Sequence, residues 1–472
     1  MSTRSIFKLP DGFEHSIITH NTPSWQKTTL PYTHEGVMRT QSLWTDSRNV
    51  LMVFDGKSGE FHSFNDPKVL NNNRGQTVNL MVAQSLLANF PERFHIGAPT
   101  FQILLSHDDY PTTNVKEVDF SSLSDGVDYA PVLQFGSTPR DEALLYPVPI
   151  KEMPFVKMVG CLIPRGATGI GGKCFYDESS MQKLMREPNN KRWEDLTSQI
   201  IWRGSDYTFL TRLGENYPGK GYNGKTNYDS EQSVFDSLMR KWDRLNPRWK
   251  AITLSLAADM EARQENAEPW IDAKFFVKNP TQINANFELF SKSGAAVATD
   301  EYLSYDEQMN YKYHIDLGGS GGTSWTGTLS KLAMPGVLFH HETISRDWFY
   351  DELQPWKHYI PVKMDLSDLR EKYDWAEAHP DECQAMSEAA TEFLVKMDTQ
   401  QYYDETYAKY FVEHLGEVMN AYQPGSETLE SIIHDYEVRG MALEKYSTCN
   451  AEGCLYHWDG HRYANDQVTE VI

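Results

Sequence analysis

Three groups of residues in this 472-residue chain have types and spacings suited to chemistry. One is the glycine run Gly318-Gly319-Ser320-Gly321-Gly322, followed by Thr323, Ser324, Trp325 and Thr326. Backbone N–H groups in such a loop, backed by a helix N-terminus, cradle phosphate well. A ligand carrying a diphosphate is therefore the first expectation. The competing reading is an ordinary turn, since no strict G-x-G-x-x-G is present. The second group is Arg203-Gly204-Ser205 with Arg212 further on. A planar guanidinium bridges diphosphate oxygens, although a lone arginine after a strand is usually solvated or salt-bridged. The third is His107-Asp108-Asp109-Tyr110-Pro111, where a carboxylate can bind a metal, act as a base or simply form a turn. A fourth stretch, residues 160–174, fails the P-loop pattern at Ala167 and Cys174 and reads as a glycine-rich surface loop.

Each group needs an element to hold it. A strand over Tyr313–Leu317 enters the glycine run, and Thr323, Ser324 or Thr326 caps a helix through Leu329, Leu332 and Ala333. Pro335-Gly336 stops that helix, and Val337-Leu338-Phe339 is short and apolar enough for a buried strand. A second helix over Arg346–Leu353, a strand over His358–Val362 and a helix starting at Asp365 or Ser367 complete this chain of α/β elements. Upstream, Ile200-Ile201-Trp202 reads as the strand leading into Arg203. Phe101–Leu105 is the strand leading into Asp108 and Asp109, after a helix with Val78, Met81, Val82, Leu86 and Phe90 on one face. Parallel α/β sheets bind ligands beyond the carboxyl ends of their strands, which is where all three groups fall.

Composition narrows the classes. A formal net charge of −22 argues against nucleic acid as a partner, and 40% apolar residues supply ample core material. No apolar run reaches the length of a membrane span, and the first residues lack the apolar core of a signal peptide. Five cysteines are too few for a disulfide scaffold; Cys449 and Cys454 are spaced either for a local clip or for two loop thiols. Tyr407, Tyr410, Phe411, His414, Leu415 and Val418 share one helical face, read as packing on the body.

The stretches Tyr311-Lys312-Tyr313, Ser324-Trp325, Leu353-Gln354-Pro355-Trp356-Lys357-His358-Tyr359-Ile360-Pro361-Val362-Lys363 and Asp365-Leu366-Ser367 resemble the characteristic block of the protein O-glucosyltransferase family. This is the Rumi and CAP-type group, glycosyltransferase family 90. The resemblance covers roughly residues 72–422 and is densest from 311 to 398. It implies that Asp109 of Asp109-Tyr110-Pro111 is the catalytic base, with Asp108 as the competing assignment. It further implies that Arg203, Ser205 and Arg212 contact the donor nucleotide, together with Gly321, Gly322, Thr323, Ser324, Trp325 and Thr326. Two features depart from the family. Its nucleotide loop reads S-F-R where this chain has Ser324-Trp325-Thr326, so the diphosphate loses an arginine unless Arg212 or Lys331 compensates. Its disulfide between the Y-K-Y segment and the later helix has Met309 and Met334 at the nearest positions here, consistent with packing in place of a bridge.

The resemblance implies an α/β, GT-B-like fold, two Rossmann-type domains facing across a cleft. Residues 1–65 are expected as an N-terminal extension, 66–198 as the acceptor-side domain, 199–395 as the nucleotide-sugar domain and 396–472 as C-terminal helices and tail. The implied reaction is inverting, metal-independent transfer of glucose or xylose from a UDP-sugar to a hydroxyl of a protein or glycan acceptor, with no cofactor. A noncatalytic sugar- or protein-binding relative of the fold, and a metal-dependent phosphoester hydrolase using Asp108 and Asp109, are the alternatives. The family location is the lumen of the ER or Golgi if a leader precedes this chain, and the cytoplasm otherwise.

Overall fold

The computed structural model describes residues 31–42, 49–65, 73–106, 130–134, 150–152, 191–205, 228–277, 290, 292–318, 326–343, 348–397, 400–441, 443–456 and 462–464. In chain order they form α1 (His34–Ser42), β1 (Asn49–Asp55), β2 (Glu60–Asn65), α2 (Asn73–Asn89), β3 (Phe101–Ser106), β4 (Val132–Gln134) and β5 (Ile150–Glu152). Next come β6 (Thr197–Gly204), α3 (Glu231–Met239), α4 (Pro247–Glu265), β7 (Ile271–Phe276), β8 (Ala298–Thr299) and α5 (Tyr305–Gln308). They continue with β9 (Tyr311–Ile315), α6 (Thr326–Ala333), β10 (Val337–His341), β11 (Ile360–Val362), α7 (Leu369–Ala378) and α8 (Pro380–Met397). Last are α9 (Gln400–Tyr407), α10 (Glu413–Ala421), α11 (Leu429–Val438), β12 (Glu444–Asn450), β13 (Gly453–Tyr456) and β14 (Arg462–Ala464).

The chain divides into two compact units. One holds an eight-stranded sheet in the order β14-β13-β12-β2-β1-β3-β4-β5. Only its β3–β4 and β4–β5 pairs are parallel; the others are antiparallel, so the sheet is mixed, not purely Rossmann-like. The apolar run Val50–Phe54 is fully buried, which places β1 inside this sheet although the sequence set residues 1–65 apart as an extension. Residues 444–464, read as part of a C-terminal tail, supply three of its strands. The predicted aromatic helix is continuous from α9 to α10 through a π-turn at Ala408–Val412, and Phe411, Leu415 and Val418 pack into this unit's core. Cys449 is disulfide-bonded and stands opposite Cys454 in the β12–β13 hairpin, which selects the clip over two free thiols.

The other unit holds a six-stranded, all-parallel sheet in the order β11-β10-β9-β6-β7-β8. Numbering its strands one to six from β6 to β11, the order read from the far edge is 3-2-1-4-5-6, that of dinucleotide-binding sheets. Alternate residues Ile271, Ala273 and Phe275 of β7 enter the core on one face, where Trp249 of α4 meets Phe275 edge-on at 5.0 Å. Met309 and Met334 are both buried, as expected of packing residues where the family has a bridge.

Candidate functional site

In a 3-2-1-4-5-6 sheet the chain order reverses between the first and fourth strands, and the crevice outside their carboxyl ends is the ligand position. Here those strands are the neighbours β6 and β9. They end at Arg203-Gly204-Ser205 and at Asp316-Leu317-Gly318. Gly318, the first residue of the expected glycine run, lies at the switch point, and the described chain resumes at Thr326, the first residue of α6. Gly204 has a steric reason: a Cβ there would sit 2.4 Å from the Trp202 ring. Gly336 has another. It turns α6 into β10 with φ +100°, and a Cβ would lie 2.5 Å from the Lys312 carbonyl oxygen.

Arg248 ties the two strand ends together. Asn246 caps α4 by accepting from the Trp249 amide at 3.0 Å, and Pro247 fills the first helical position, which fixes Arg248 in the first turn. A buried cation there opposes the helix dipole. Carbonyl dipoles offset this: Nε donates to Gly318 O at 2.9 Å, Nη2 to Leu317 O at 3.4 Å, and Nη1 to Ser205 O. The guanidinium also lies 5.4 Å from the centre of the Trp202 ring. Replacing Arg248 by Met keeps the bulk but strips these carbonyls of a donor, each loss worth about 1–3 kcal/mol when buried. Urea unfolding of Arg248→Met is expected to show a loss of about 3 kcal/mol; a change within about 0.5 kcal/mol, the scale of a surface substitution, would contradict the clamp.

A second network lies one strand over. Asp316 is buried, and its Oδ2 accepts from Nδ1 of His340 at 2.6 Å and from Oγ1 of Thr328 at 2.7 Å, while Oδ1 accepts from the His341 amide at 2.9 Å. Burial opposes its ionisation, but His340, Thr328 and the His341 amide prevail and hold the carboxyl below the usual range. Lys331 folds back along α6 to the Gly327 carbonyl at 3.3 Å, and desolvation pushes its ammonium below the usual lysine range.

The sequence-predicted residues distribute as follows. Ser205 is exposed at the end of β6, with its carbonyl held by Arg248. Arg203 is not a free fork: Nη2 meets Asp272 Oδ2 at 2.6 Å, and Nη1 donates to the Trp202 and Asp272 carbonyls, both at 2.9 Å. The structure ties its guanidinium to the neighbouring strand, at the residue for which the resemblance implies a donor contact. The reason is local, because β7 places a carboxylate beside it and Lys274 on the same carboxylate at 2.9 Å. Burial opposes ionisation of Asp272 as well, and Arg203 and Lys274 reverse that. Asp108, Asp109, Arg212, Gly321, Gly322, Thr323, Ser324 and Trp325 lie outside the described residues. No group of three potential metal ligands occurs among the described residues.

In the long run Leu353–Lys363, Leu353, Trp356, His358, Ile360 and Val362 are buried. Trp356 has φ 63° and is buried, its amide donating to Tyr359 O at 2.7 Å, with the Lys372 ammonium 4.5 Å from its ring centre. Sequence reading missed Arg248, Asp316 and His340 as site residues. The available signals were an acidic residue directly after a buried strand and a His-His pair at the end of another, both at sheet carboxyl ends.

Residues 272–428 match the family described as Glycosyl transferase family 90. Protein O-glucosyltransferase 2 of Danio rerio is 30% identical over 199 residues, 39% of this chain and 39% of that protein. Protein O-glucosyltransferase 3 of Rattus norvegicus is 25% identical over 163 residues, 34% of this chain and 31% of that protein. Protein O-glucosyltransferase 1 of Rattus norvegicus is 29% identical over 128 residues, 25% of this chain and 31% of that protein. The chain thus spans about two fifths or less of the length of these relatives. The resemblance to glycosyltransferase family 90 is shown, and its matched segment starts at Asp272 and includes the glycine run, Asp316 and His340.

Proposed function

We propose that this chain, with its family 90 segment at residues 272–428, is a glycosyltransferase that moves a sugar from a UDP-sugar to a hydroxyl of a protein or glycan acceptor. The observation that carries this reading is the switch point, where β6 and β9 pair side by side and β9 is followed in sequence by the glycine run and α6. A diphosphate there would meet backbone N–H groups and a helix N-terminus. In this reading Ser205, Arg212 and residues 321–326 hold the donor, glucose or xylose is the sugar, and Asp109 takes the acceptor proton while the hydroxyl attacks with inversion. The helix N-terminus and Arg212 support the leaving diphosphate, so no metal or cofactor is needed. The GT-B arrangement belongs to the same proposal; the Rossmann strand order of the β6–β11 sheet supports its nucleotide-sugar half, expected at 199–395. Thr326 in place of the family's arginine favours one other reading, a relative that binds the donor without turning it over.

The test is calorimetry with UDP, UDP-glucose and UDP-xylose, with and without EDTA, on the wild type and Arg212→Ala. Binding that ignores EDTA and weakens at least about tenfold in the variant is expected, since a charged hydrogen bond to phosphate is worth about 1.5–3 kcal/mol. A wild type that binds none of the three ligands would overturn the donor site. Binding that is indifferent to Arg212→Ala would remove that arginine from it.

A further inference from the structure

The geometry points to His340 as a phosphate-contacting residue of the donor site, one that donates from Nε2 to the diphosphate of the nucleotide sugar when its ring carries two protons. This rests on the transferase reading above and adds a residue and a pH dependence to it. The imidazole stands near the carboxyl end of β10, beside the strand that feeds the glycine run. Asp316 takes Nδ1 at 2.6 Å, which turns Nε2 to the opposite edge of the ring. Among the described residues Nε2 has no hydrogen-bond partner, although the side chain retains only 9% exposure. Tyr350 and Tyr359 meet the ring edge-on, each 4.8 Å away between centres, and fix its plane. Through Thr328 the same carboxylate is bonded to the first turns of α6, the helix that follows the glycine run.

Charged and titratable groups face the ring from several elements. Asp316 faces it from β9 with both oxygens occupied, and Thr328 and Lys331 stand on α6. On β10 itself the neighbour His341 is neutral; Glu342 follows, half-buried, with desolvation raising its carboxyl. Tyr350 and Tyr359 complete the described surroundings with aromatic edges. A phosphate oxygen at Nε2 would give the protonated ring an acceptor on each side. It would also return a cation to a loop that carries Thr326 where the family has arginine.

The test is titration of UDP-glucose and UDP-xylose between about pH 5.5 and pH 8.5, a range that spans histidine titration while the diphosphate diester keeps its charge. Wild-type affinity is expected to fall about tenfold or more as pH rises. His340→Gln should bind at the weak, high-pH level throughout. His340→Lys, a cation across the range, should bind tightly and without slope. Uridine should show no slope with any of the three proteins. Near-UV circular dichroism confirms that each variant folds; if His340→Gln does not, the wild-type and His340→Lys profiles decide. A flat wild-type profile, or an unchanged slope in either variant, overturns the role of His340 and leaves the donor site standing. Absence of UDP-sugar binding to the wild type at every pH overturns both.

Discussion

Acidification from pH 7 to about pH 4.5 is expected to strip several kcal/mol of stability from the unit built on β6–β11, because three of its histidines fold as neutral, buried rings. His314 donates from Nε2 to the Pro335 carbonyl at 3.0 Å, and His341 from Nε2 to the Met364 carbonyl at 3.0 Å. In both, Nδ1 is buried without a partner, so a second proton would have no acceptor. His358 accepts the Gln354 amide on Nδ1 at 3.0 Å, a bond that protonation would break. Burial is the main cause in all three and pushes each ring from 6.5 down to about 4. Between those values the unfolded chain takes up protons that the folded one refuses. Stability is therefore full above about pH 6.5 and is lost progressively as pH falls toward 4. Each ring contributes at most about 3 kcal/mol, and the sum is comparable to the whole stability of an ordinary domain. Denaturant unfolding at steps from pH 7.5 to 4.5 measures this, and His341→Gln should flatten part of the slope. A free energy that stays level down to pH 5 would mean that the rings are solvated.

Asp109→Asn is expected to lower sugar transfer by about 10²- to 10⁴-fold while leaving UDP-sugar affinity within about twofold. The amide matches the carboxylate in shape but cannot take the acceptor proton, so the loss should appear in turnover and not in donor binding. β3 ends at Ser106 and pairs in parallel with β4, and the Asp-Tyr-Pro motif follows it in sequence, outside the described residues. Single-turnover transfer or slow hydrolysis of the bound UDP-sugar reads the effect. Asp108→Asn serves as the parallel variant, and the larger loss identifies the base. Retention of more than a tenth of wild-type turnover in Asp109→Asn would exclude it from that role.

What the sequence determined by itself was local. Buried strands announced themselves as short apolar runs: Leu51–Phe54, Phe101–Leu105, Ile200–Trp202 and Val337–Phe339 all lie in strands. Helix limits followed from caps and breakers, as with α6 between the glycine run and Pro335-Gly336. The glycine run and Arg203-Gly204-Ser205 were also visible as candidates, since strand-loop-helix chemistry is written in neighbouring residues. Only the tertiary structure decided that β6 and β9 lie side by side, that Asp272 takes the Arg203 fork, and that β12–β14 complete the sheet begun by β1 and β2. It alone joined Arg248 to Gly318 across 70 positions and Asp316 to His340 across 24. Strand order, register and the pairing of buried charges depend on which distant surfaces exclude water together. Local periodicity and propensity, the patterns by which a single sequence reveals its elements, carry no record of that.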